Sequence, residues 1–170
     1  TMSDESKPLE EIGKANEEAY HRTRDAELIA QLRAKLATEK NASDIQAETG
    51  VSDEAMLNRL AGLGITKGTL PIVHLVPLFN VAWADGEIQD AERLLLEEAA
   101  AATGINDGDA RALFDEMLTT PPNANLVAAC TAFISMLLTV LPEDEATQSR
   151  DNLVNMSIKI ADACGGVFGL

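Results

Sequence analysis

Asp85, Gly86 and Glu92 are spaced as three positions of a calcium-binding loop. The EF-hand loop, about twelve residues long, takes oxygen ligands at its first, third, fifth and twelfth positions and glycine at its sixth. With Gly86 sixth, Asp85 falls fifth, Ile88 eighth and Glu92 twelfth, but the first and third positions fall on Val81 and Trp83, which offer no side-chain oxygen. This is half a calcium loop. A hard cation there needs further carboxylates, with Glu87, Asp90 and Asp162 as candidates, and such ligands favour calcium, magnesium or manganese over zinc. The same residues also have a purely structural reading. Glu92 follows Gln89 by three, the spacing of a capping box, and Asp90 in the first turn suits the helix dipole. A helical wheel puts Glu92 on one side with Ile88, Ala91, Leu95 and Ala99, so this glutamate sits near a core face and needs a partner.

Other reactive residues are few. His21 and His74 are the only histidines, and His74 stands within Ile72-Val73-His74-Leu75-Val76, where a buried, satisfied core histidine is expected. Cys130 and Cys164 fall on apolar helix faces and are expected to be inert thiols. No glycine-rich phosphate loop is present. These features predict a protein that is not an enzyme. A second motif, running from Ile45 through Gly50 and Ser52 to Leu57, has helix-turn-helix spacing. Its second helix would present Asp53, Glu54 and Asn58, with only Arg59 and Lys67 nearby, and acidic side chains face phosphates badly. A helical hairpin packed on the body is the better expectation, and a DNA-binding regulator the lesser one.

The elements that hold these residues all read as helices. From residue 9 to about 40 the chain carries helix formers, with Leu28, Leu32 and Leu36 four apart on one face. Residues 41–52 predict a short helix closed by Gly50, after which Ser52 caps another that ends at Gly62 to Gly64. Thr69-Leu70-Pro71 opens the next, and Pro77 should kink it. Further helices are expected from about 106 to 117, 124 to 140 and 143 to 163. Leu126, Cys130, Phe133, Leu137 and Leu141 line one face of the penultimate helix, and Leu153, Ile160 and Cys164 one face of the last. No alternating strand pattern competes. The prediction is an all-α bundle of seven or eight helices: a polar start and helical arm over 1–40, a short hairpin over 41–64, and a core over 65–170.

Composition narrows the setting. The 170 residues suffice for one core, and their 13 basic and 28 acidic side chains give a net charge of −15. That field repels nucleic acid and anionic membranes. The arm differs, with mixed charge. Two cysteines are too few for a disulfide scaffold, and neither a signal peptide nor an apolar run of about 20 residues appears. A cytoplasmic protein without direct membrane insertion is therefore expected. Thr1 before Met2 reads as a cloning remnant.

The stretch Leu75-Val76-Pro77-Leu78 leading into Val81-Ala82-Trp83-Ala84-Asp85-Gly86-Glu87-Ile88, with Glu92 beyond and Gly165-Gly166 near the end, resembles the tellurite-resistance protein B (TerB-like) family, in particular an uncharacterised bacterial subgroup. The resemblance covers roughly residues 64–170. It implies a pseudo-repeated helix-loop-helix, which Asp162 to Gly165 echo in degraded form, and a further helix after Leu170, so that the chain would be truncated. It also implies an acidic module tied to bacterial stress response and membrane-linked complexes, with no catalytic residue to carry over. The co-chaperone relatives add a J-domain, whose His-Pro-Asp triplet this sequence lacks.

Together these readings predict a non-enzymatic interaction or scaffold module. Its partner would be a protein, a second copy included, meeting Trp83, Asp85 and Glu87 or the arm. The alternative is a divalent-metal-binding or sensing protein using Asp85, Glu87, Asp90, Glu92 and Asp162.

Overall fold

The computed structural model describes residues 7–165. Among them are seven α-helices, one short 3-10 helix and no strand, so the all-α expectation holds. The chain forms two compact units, Thr1–Glu39 and Lys40–Leu170. The Cys164 side chain and the glycine-rich echo from Gly166 onward lie outside the described residues.

The first helix, α1, spans Lys7–Thr49 without a break. Two or three shorter helices were expected here. No proline or glycine interrupts the chain between Lys14 and Thr49, and the buried Ala42 and Ile45 hold its last turns, so propensity carries the helix past Asn41. Gly50, at φ +76°, ends it and donates its N–H to the Gln46 carbonyl. From Pro8 to Ala37 every side chain is exposed.

In the second unit α2 spans Glu54–Gly62. Its cap is Asp53 rather than Ser52, because the Asp53 carboxylate accepts the Met56 N–H at 2.8 Å. Beyond it, Ile65 donates to the Leu60 carbonyl and Gly64 to that of Ala61, a Schellman closure that needs Gly64 at φ +94°. The same pair of bonds, Ile105 to Ala100 and Gly104 to Ala101, closes the helix Asp90–Ala102. Ile65 and Ile105 are then buried, so each stop also contributes to the core.

The apolar run from Leu70 is divided, not kinked. A 3-10 helix covers Leu70–His74 and α3 covers Val76–Ala82. Pro77 lies in the first turn of α3, where its missing N–H costs no hydrogen bond. The remaining helices are α4 (Asp90–Ala102), α5 (Gly108–Thr119), α6 (Ala124–Val140) and α7 (Glu143–Gly165). α7 packs on α3, α4 and α6, α6 also on α2 and α3, and α5 on the 3-10 helix. Phe79, Phe114, Phe133, Leu60, Ile72 and Leu96 fill the centre. No helix among the described residues is long and apolar enough to cross a membrane.

Two expectations about faces are corrected. His74 is exposed, since the tight 3-10 turn buries Ile72 and Val73 and swings His74 outward. On α4 the inward face is Glu92, Leu96, Ala99 and Ala100, while Ala91 is exposed.

Candidate functional site

The loop between α3 and α4 is built from backbone requirements. Trp83 closes α3 by donating its N–H to the Phe79 carbonyl, and the Gly86 N–H reaches the Trp83 carbonyl at 2.9 Å. Gly86 sits at φ +91°, a conformation other residues adopt only under strain. Asp85 folds back on its own loop, its carboxylate accepting the Glu87 N–H at 3.4 Å. Gln89 then caps α4 through its backbone alone.

The predicted ligands part company on this frame. Asp85, Glu87, Asp90 and Asp162 are exposed, the last of them on α7, whereas Glu92 is fully buried. Among the described residues no three His, Cys, Asp or Glu side chains gather closely enough to hold a metal ion. The calcium-loop spacing thus places Glu92 inward and its companions in solvent.

Trp83 is half-buried, and its indole N–H donates to the Met117 carbonyl at 2.8 Å. Its polar edge ties the loop to α5. Asp85 and Glu87 alone of the predicted partner surface face solvent fully.

A cluster that the sequence did not single out lies on the other side of α4. Arg111 donates from both terminal nitrogens to the two Glu97 oxygens at 2.8 Å each, and its Nε lies 3.1 Å from Asp115. Its guanidinium stacks 4.6 Å from the centre of the Phe114 ring, which meets Phe79 edge-to-face at 5.2 Å. The Arg111 hydrogen bonds hold the Glu97 carboxyl below its ordinary value, and Glu97 raises that of Arg111. Only the Arg111–Asp115 half has helical i,i+4 spacing. The Glu97 half spans a turn between two helices and leaves no periodic signature.

No protein-family model, curated protein or solved structure matches this chain.

The remaining reactive groups are subdued. Burial pushes the Cys130 thiol up to about 12, and the apolar surroundings of His74 lower its pKa despite its exposed position. In the helix-turn-helix-like segment, the Asp53 carboxylate is committed to capping and Lys67 to Glu48 at 3.2 Å. That leaves little positive charge for phosphates.

Proposed function

We propose that the protein is a non-enzymatic interaction module that associates through the arm of α1, with a second copy of the chain as its partner. The observation that carries this reading is the apolar stripe on the arm: Leu28, Ile29, Leu32 and Leu36 are 47–63% exposed. Spaced at one, three and four residues, they share one side of the helix, and Leu9, Ile12 and Tyr20 add further exposed apolar surface. A helix whose side chains are all in solvent gains little from its own propensity, and pairing such a stripe is the usual source of stability.

Charge favours a like partner. Over residues 7–40 the arm's Lys7, Lys14, Arg22, Arg24, Arg33, Lys35 and Lys40 balance Glu10, Glu11, Glu17, Glu18, Asp25, Glu27 and Glu39. The net charge of −15 resides elsewhere, so two arms meet without the repulsion that two bodies would feel.

Sedimentation of the full chain over a wide concentration range tests the reading. A dimer is expected, with Leu32→Glu/Leu36→Glu shifting it to monomer and lowering the helical circular dichroism by part of the arm's share. A wild-type chain that stays monomeric throughout would refute it.

A further inference from the structure

A half-enclosed cavity of about 320 Å³ opens between the 3-10 helix, α3, α4, α6 and α7. Its walls are apolar, formed chiefly by Leu75, Leu78, Ile134, Leu137, Leu153 and Met156. The volume lies at the lower end of the range for small-molecule sites, about 300–1,000 Å³, and the design matches them: apolar walls with a few polar groups at the mouth.

The polar groups are selective in sign. His74, Thr103, Ser149, Arg150 and Asn152 border the opening, and among the described residues no carboxylate lines it, although the chain carries 28 acidic side chains. On α7, Glu143, Asp144 and Asp151 line another groove, while Arg150 lines this one. Among the described residues Arg150 takes part in no ion pair, unlike Arg111 and Lys67. Among its described lining residues this mouth thus carries no carboxylate and one guanidinium outside any ion pair.

We propose that this cavity binds a medium-chain aliphatic carboxylate, its tail along the leucine walls and its carboxylate on Arg150. A guanidinium presents paired N–H groups that match a carboxylate, and the Ser149 and Asn152 side chains supply further donors beside it. The cavity's size limits the tail, and its open mouth keeps the head in contact with water. Each methylene taken from water into the cavity strengthens binding about three- to four-fold until the space is filled.

Calorimetric titration of the full chain with decanoate below its micellar concentration, beside decanol and octanoate, tests this. Saturable one-site binding is expected, with decanoate about tenfold tighter than both decanol and octanoate. Arg150→Gln, at an exposed position, should bring decanoate down to the affinity of decanol, and Ala102→Phe, at the exposed lip, should abolish both. Absence of saturable decanoate binding overturns the proposal, as does an unchanged decanoate-to-decanol ratio in Arg150→Gln. Binding undiminished in a folded Ala102→Phe protein would place the carboxylate elsewhere on the surface and overturn it equally.

Discussion

The indole N–H of Trp83 and the carbonyl oxygen of Met117 lie 2.8 Å apart although 34 positions separate them in the chain. This bond fastens the end of α3 to the end of α5 and so sets where the Asp85 loop begins. Trp83→Phe keeps most of the apolar contact and removes the donor. A loss of about 1–2 kcal/mol is expected, measured by urea unfolding followed by circular dichroism, since Trp83 is the only tryptophan. An unchanged midpoint would mean that water replaces the indole at Met117 without cost.

Arg111 and Glu97 form a two-pronged pair whose side chains are about a third exposed. Solvent screening limits its worth, and a double-mutant cycle with Glu97→Gln and Arg111→Met should give a coupling of about 0.5–1 kcal/mol at neutral pH. The pH dependence follows from the direction of the shift. Glu97 titrates below its ordinary 4.5 when folded, so the pair's contribution is present above that value and is lost as pH falls through the folded pKa. A coupling that persists in strong acid would show that the Glu97 charge is not its source.

Cys130 is fully buried on α6, and its thiol is raised from 9.0 to about 12. It should resist an aromatic disulfide reagent at pH 8 in the native protein and react promptly in denaturant. Because the unfolded thiol ionises first, its contribution to stability is complete below about pH 9 and declines as pH rises toward 12. Cys130→Ser should remove that decline at a cost of about 1–3 kcal/mol for the buried hydroxyl. Rapid labelling of Cys130 in a native Cys164→Ser protein would mean that α6 opens readily.

Calorimetric titration of the metal-stripped protein with calcium, magnesium or manganese should show no tight site at the Asp85 loop. Asp85, Glu87 and Asp90 point to solvent while Glu92 is enclosed, and a hard cation needs several oxygens converging on one point. Micromolar binding that disappears in both Asp85→Asn and Glu92→Gln would restore the loop as a ligand site.

How far the sequence could be read depends on how local each interaction is. The stops at Gly50 and Gly64 and the helix over Ala124–Val140 were legible because glycine at positive φ and residue spacing act within a few positions. Asn123 accepts the Asn125 N–H, as a cap should. The loop at Asp85 and Gly86 was legible for the same reason.

By itself, then, the sequence determined an all-α protein, the ends of most of its helices, and a mixed-charge arm set against a more acidic remainder. Only the tertiary structure decided which residues of each helix face inward. It turned His74 and Ala91 out, paired Arg111 with Glu97, and set Arg150 at a mouth where no described carboxylate lies. These outcomes depend on how helices distant in sequence rotate against one another to fill space, and helical periodicity limits that rotation only to a broad face of each helix.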